Sequence, residues 1–312
     1  MKFIYITDTH FRRTTPPSRT DDYLIASMTK IKDVLDYATR EGIKNIVHGG
    51  DFFDDMQPYD VTTEVGALIF AYNHVNWFVN IGQHDMRDHT HINDRPIRTL
   101  DRLLPNFNVM PNGEFTEVDD GYVYANWYDN TRARDPEFYS LFLPDHVNAP
   151  VVHTAHGLLV EREFYGSYVL LSDVPPSHAD LFLGSDYHPG WKTQNLHGCT
   201  YANPGSLMRK ECPSPMRFPK FLDVEIGGMD GKVGIIEITL NKETPFVVKK
   251  VKAEEAETPA MDIGIAKFIE TEFQSGGVSH PKNLIQEVGK TTNVDNRVIE
   301  KAVELITEVE DD

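Results

Sequence analysis

The 312-residue chain is poor in three things. It holds two cysteines, Cys199 and Cys212. They are too few for a disulfide framework and match no zinc-ligand spacing, so two free thiols in a loop-like stretch are expected. It has no apolar run near the roughly 18 to 20 residues that a bilayer span needs. Its opening, MKFIYITDTH, turns to acidic chemistry too soon for a secretory signal. Both features point to a cytoplasmic protein with no membrane partner. Positive charge is also scarce: 30 lysines and arginines face 48 aspartates and glutamates, for a net charge of −18. That balance argues against a nucleic-acid partner. Its distribution softens the argument, because residues 253–312 alone carry 14 acidic and 5 basic side chains. Carboxylates that bind cations are in addition neutralised by them.

What is present begins with a run of alternating elements. Lys2–Thr7 is apolar and β-branched and ends abruptly at Asp8, as a buried strand does. Over Asp21–Arg40 the apolar residues Leu24, Met28, Ile31, Leu35 and Ala38 recur at spacings of three and four, which predicts an amphipathic helix closed by Gly42. A strand is expected at Lys44–His48, a helix at Val61–Tyr72, a strand at Val75–Ile81 and a short helix at Pro96–Leu104. Further strands are expected at Tyr122–Asn126, Pro150–Thr154, Leu181–Gly184, Phe221–Ile226, Val233–Leu240 and Phe246–Val251. Alternation first and strands later suggest stacked sheets with outer helices, a four-layer αββα sandwich of the α/β (α+β) class. The acidic, proline-containing stretch Ala253–Pro259 reads as a linker. The chain thus divides into a main domain, 1–252, and an acidic C-terminal segment, 253–312, of three short helices.

Five short motifs each follow an expected strand: Asp8-Thr9-His10, Gly50-Asp51, Gly82-Gln83-His84-Asp85, His156-Gly157 and Asp186-Tyr187-His188. In open α/β sheets ligands gather beyond the carboxyl ends of strands, so distant strand ends can meet at one pocket. The donors are carboxylate, imidazole and carboxamide oxygen without thiolate, a set suited to manganese, iron, magnesium or zinc. In an extended backbone residues i and i+2 face one side, which would aim both members of Asp8-x-His10 and of Asp186-x-His188 into that pocket. His48, His74 and His153 lie in or beside strands and read as ordinary core or surface histidines. Arg12 and Arg13, in the loop after the first motif, either pair with substrate phosphates or sit in a solvated loop.

This ordered set resembles the calcineurin-like metallophosphoesterases, whose pattern is D-x-H, G-D, G-N-H-D, H and G-H-x-H. The likeness covers roughly residues 1–210 and is greatest to the SbcD-type branch, nuclease subunits of recombination and repair complexes. The start at the first motif, the passage Leu100–Tyr124 and the Tyr201…Pro204-Gly205-Ser206 loop carry that finer likeness. The resemblance implies two divalent cations, manganese foremost, with magnesium, iron or zinc as alternatives. Asp8, His10 and His188 would hold the first cation, Asp51 would bridge, and Gln83, His156 and Asp186 would complete the second. His84 would face substrate, oriented by Asp85 or Asp54. The implied activity is cleavage of DNA with an SbcC-type ATPase partner, the nuclease pairing with a second copy through Val61–Tyr72 and Pro96–Leu104. A small-molecule phosphodiesterase or phosphatase, and a binding subunit with a decayed site, are the competing readings. Two positions depart from the pattern: Gln83 stands where asparagine is usual, and Asp186 where histidine is usual. Both keep a donor atom, which leaves a retuned second site or a weakened one.

Overall fold

The opening strand is apolar on both faces because it is buried on both. In the computed structural model, which describes residues 1–87, 91–143, 147–163, 167–210, 218–227 and 232–240, Lys2–Ile6 forms β1. Phe3 and Tyr5 point into one core, and Ile4 and Ile6 into another. Asn45–His48 (β2), Asn76–Val79 (β3) and Phe107–Val109 (β4) continue the sheet in parallel register. The crossovers carry the helices Tyr23–Arg40 (α1), Tyr59–Ala71 (α2) and Pro96–Leu103 (α3). Asp22 caps α1 by accepting the Ile25 N–H at 3.0 Å, and the predicted stripe (Leu24, Ile31, Leu35, Ala38) is buried against Ile4, Ile46 and Trp77.

A second sheet is built from Glu114–Val118 (β5), Gly121–Asn126 (β6), Val151–Ala155 (β7), Leu181–Gly184 (β10), Trp191–Leu196 (β11) and Cys199–Asn203 (β12). Its order is β11-β12-β10-β7-β6-β5, with β12, β10, β7 and β6 parallel and an antiparallel strand at each edge. Leu159–Val160 (β8) and Val169–Leu170 (β9) make a separate two-stranded piece. Lys220–Ile226 (β13) returns antiparallel to β1, and Val233–Thr239 (β14) closes that edge, giving the first sheet the order β14-β13-β1-β2-β3-β4. The sheets pack face to face through Phe3, Tyr5, Val224, Val152 and Leu183. The Tyr5 hydroxyl crosses between them to the Gly184 carbonyl at 2.9 Å.

The result is two mixed sheets flanked by helices. Helices α1–α3 cover the outer face of the first sheet. Among the described residues, the outer face of the second is covered instead by 3-10 turns and loops, with Phe138 and Tyr139 packed on Phe182 and Tyr201. Strands β4, β5, β8, β9, β11 and β12 add to the strand ranges expected. Cys199 therefore lies on a strand and is fully buried, which corrects the loop placement. Cys212, the strand at Phe246–Val251 and the segment 253–312 lie outside the described residues. No described helix is long and apolar enough to cross a membrane.

Candidate metal centre

Five strands of the two sheets deliver one motif each from their carboxyl ends: β1 gives Asp8, β2 Asp51, β3 Gln83, β7 His156 and β10 Asp186. The backbone there is not extended. Asp8, His10, Asp51 and Asp186 have φ of 54°, 44°, 54° and 66°, in the left-handed region. The alternation argument for Asp8-x-His10 and Asp186-x-His188 therefore fails; sharp turns aim these side chains inward. Such turns persist when the surroundings over-determine them. Here the loops after β1 and β2 hold each other, with Asp8 N–H donating to Gly50 O at 3.1 Å, His10 N–H to Asp51 O at 3.0 Å and Phe11 N–H to Phe52 O at 2.9 Å. Gly50 and Gly82 make the close approach possible. A Cβ would overlap His156 Nδ1 at the first and Asp51 Oδ1 at the second.

Three groups of ligand atoms, each within 4.8 Å of one another, share members: Asp8–His10–His188, His10–Asp51–His84 and Asp8–Asp51–His156. His10 Nε2 lies 3.2 Å from His188 Nε2 and 3.8 Å from Asp51 Oδ2, and His156 Nε2 lies 3.4 Å from Asp51 Oδ2. Asp8 Oδ1, Asp51 Oδ2, Gln83 Oε1 and His156 Nε2 are buried without a hydrogen-bond partner. Atoms buried in this way cost free energy unless something binds them, and two carboxylates and a carboxamide beside imidazoles make a fitting cradle for divalent cations. Asp8, His10, Asp51 and His156 are fully buried, whereas His84 and His188 are 37% and 38% exposed and mark the open side. The His156 Nδ1 faces the Gly49 carbonyl at 2.9 Å, which fixes that nitrogen as the donor and turns Nε2 inward.

The electrostatics are those of carboxylates and imidazoles crowded into one buried cluster. Burial pushes the Asp8 carboxyl up to about 7, with Asp51 and Asp186 adding to the effect and His156 opposing it. Burial pulls the His156 imidazole down, but Asp51 and then Asp8 outweigh it and lift the group to about 10. Burial works against ionisation of Asp51 too, yet His156, His10 and His84 hold it below the usual carboxylate range. By contrast, burial lowers His153, with the Arg132 charge adding to it, and lowers His48, with His156 adding to it, each to about 3, so both are neutral structural histidines.

Around this cluster the expected helpers separate. Asp54 is the carboxylate beside the catalytic candidate: its Oδ1 stands 3.4 Å from His84 Nδ1 and 3.3 Å from His10 Nδ1. Asp85 does not orient His84. Its oxygens accept the backbone N–H groups of Phe52, Phe53 and Gly82 at 3.0–3.1 Å, so it fastens the loops together. Arg12 pairs with Asp54 Oδ2 at 2.6 Å and so reaches the rim of the site. Arg13 turns away to Asp60 and Glu64 of α2, at 2.7 and 2.8 Å, and does not line the centre. Sequence reading missed Lys210, whose Nζ is 3.1 Å from Asp54 Oδ1; nothing in its local sequence distinguishes it. Asp186 stands beside the ligand groups rather than within them. Its Oδ1 accepts the Gln83 Nε2–H at 2.9 Å, and its backbone N–H reaches Asp8 Oδ2 at 3.3 Å.

Two sandwiched mixed sheets with a buried His–Asp cluster at their strand ends define a sandwich with a candidate centre for divalent cations. The family is also defined: the calcineurin-like phosphoesterase model matches residues 1–202, and the chain belongs to that family. It is a metal-dependent phosphoesterase. No curated protein matches it. Solved structures similar to it include that of TT1561 of Thermus thermophilus, at 12% identity and a TM-score of 0.43, over 75% of this chain and 97% of that one. A putative 5'-nucleotidase from Staphylococcus aureus in complex with alpha-ketoglutarate is similar at 12% identity and a TM-score of 0.41, over 79% of this chain and 55% of that one.

Proposed function

We propose that the chain is a two-cation phosphodiesterase that cuts DNA as the nuclease subunit of an SbcC-type ATPase complex. The observation that carries the two-cation reading is the set of inward atoms without hydrogen bonds: Asp8 Oδ1, Asp51 Oδ2, Gln83 Oε1 and His156 Nε2. With His10 and His188 they offer ligands on both sides of Asp51. Cations held there, manganese foremost, would neutralise the phosphoryl oxygens and acidify the attacking water. His84 is held in place by its own backbone, whose N–H donates to Asp51 Oδ1 at 2.9 Å. Its ring is exposed to substrate, with Nδ1 toward Asp54, so Nε2 is the atom that delivers a proton to the leaving oxygen. Arg12 and Lys210, both anchored on Asp54, supply positive charge at the rim.

The branch likeness in the sequence supports DNA as the substrate, and the charge supports a partner. A chain at −18 has little basic surface for a phosphate backbone, so a cationic subunit would bring the duplex to the site. For self-association, Val61, Val65 and Ile69 of α2 prove to be core residues; the support comes instead from Tyr59, Phe70 and Leu103, exposed on α2 and α3. The test is incubation of the purified chain with labelled linear DNA, bis(p-nitrophenyl) phosphate and p-nitrophenyl phosphate, with manganese or chelator. Manganese-dependent cutting of DNA and diester is expected, with the cutting of DNA lost in His84→Ala. Turnover of the monoester alone would favour the small-molecule phosphatase reading.

A further inference from the structure

The two departures from the family pattern touch each other. Gln83 Nε2 donates to Asp186 Oδ1 at 2.9 Å, across 103 residues of sequence. A carboxylate has only acceptors, so Asp186 dictates which end of the carboxamide faces it. The nitrogen must turn to Asp186, and the oxygen is left as the other end. That oxygen, Gln83 Oε1, is buried and has no hydrogen-bond partner. Asp186 itself is absent from each group of histidine and carboxylate atoms close enough to share an ion. Its place is fixed independently, by a left-handed backbone at φ 66° and by its N–H on Asp8 Oδ2 at 3.3 Å.

From this we infer that Asp186 is a positioning residue, which aims the Gln83 carboxamide oxygen at the second cation rather than binding that cation itself. The paired departures are then one device. The longer glutamine side chain reaches the carboxylate that stands in the usual histidine's place, and the carboxylate orients it. Either residue without the other loses the purpose of both. The inference rests on the two-cation reading of the same centre and assigns roles within it.

A double-mutant cycle on the full-length chain tests it, with manganese uptake by the metal-free protein read by calorimetry and by the Mn(II) spin-resonance signal. Asp186→Ala is expected to weaken the second cation by about 10- to 100-fold, the usual effect of removing an outer-shell partner. Gln83→Ala is expected to weaken it at least as much. Within the Gln83→Ala background, Asp186→Ala should cost less than about threefold more, because its route of action is already gone. Asp186→Asn keeps an acceptor oxygen for Gln83 Nε2–H, and should retain most of the affinity along with the fold. A further loss of about tenfold or more in the Gln83→Ala background overturns the inference and makes Asp186 a ligand in its own right, as does an Asp186→Asn variant as weak as Asp186→Ala. Uptake of one cation or none by the unaltered chain overturns the two-cation reading, and the inference with it.

Discussion

Asp54→Asn tests proton delivery by His84, provided cations are kept saturating, because Asp54 Oδ1 also stands 3.3 Å from Nδ1 of the ligand candidate His10. The Asp54 Oδ1 lies 3.4 Å from His84 Nδ1. At an effective dielectric constant of about 20, a carboxylate at that distance stabilises an imidazolium by about 5 kcal/mol. The His84 ring is 37% exposed, and screening by water cuts the figure roughly in half. The remainder corresponds to on the order of a hundredfold in a step that needs the protonated ring. Arg12 and Lys210 remain in the variant and act in the same direction, since both are cations left beside His84. Their own loss of a partner is softened by hydration, at 29% and 22% exposure, so the melting temperature should fall by only a few degrees. The assay compares diesters with good and poor leaving groups under saturating manganese. A p-nitrophenolate leaves without a proton and an alkoxide does not. Asp54→Asn should therefore lower kcat about a hundredfold for an alkyl or DNA diester, far less for bis(p-nitrophenyl) phosphate, and change KM little. An equal loss for both substrates would refute proton delivery by His84 under Asp54 control.

Gly82→Ala should lose cation uptake and several degrees of melting temperature, because the new Cβ overlaps Asp51 Oδ1; differential scanning calorimetry with metal analysis checks it. The metal-free chain should lose stability as pH rises from about 6.5 to about 10. His156 is raised to about 10, so its stabilisation is complete below the usual imidazole value and disappears as pH climbs through the raised one. Asp8, raised to about 7, has the same sign between about 4 and 7. Thermal melts across that range should fall without metal and flatten with it; a rising metal-free curve would contradict the electrostatics. Manganese uptake should release protons, measurable as a buffer-dependent heat. A chain cut after Val251 should keep manganese-dependent cleavage of a model diester and lose stimulation by an ATPase partner, whereas loss of cation binding would place the acidic segment within the catalytic unit.

The sequence was most informative where a strand is buried on both faces. β1, β2 and β10 are short apolar runs that stop at Asp8, Gly49 and Ser185, so both the strand and the motif after it can be read directly. Edge strands were harder. β5 and β11 are mostly polar and bury one position each, Val118 and Trp191, and only the His197-Gly198 turn, with φ of 53° and 90°, announces the β11–β12 hairpin. That these residues gather at one place was legible, but not the backbone that presents them, because left-handed φ at Asp8, His10 and Asp51 is imposed by bonds between loops far apart in sequence. The same holds for the arginines. Arg12 and Arg13 are adjacent, yet one reaches Asp54 at the site and the other Asp60 and Glu64 on α2, a division that depends on the packing of α2. The choice between Asp85 and Asp54 was open in the sequence for a related reason: the partners of Asp85 are backbone N–H groups, which leave no mark on side-chain patterns.

The central claim is that this cluster holds two cations through Asp51 and hydrolyses phosphodiesters with them. Titration of the metal-free full-length chain with manganese, alongside Asp51→Ala, tests it most directly. The account predicts two cations per chain and diester cleavage for the unaltered protein, and at most one cation and no cleavage for Asp51→Ala. A chain that takes up no manganese, or an Asp51→Ala variant that keeps both cations and full activity, would contradict it.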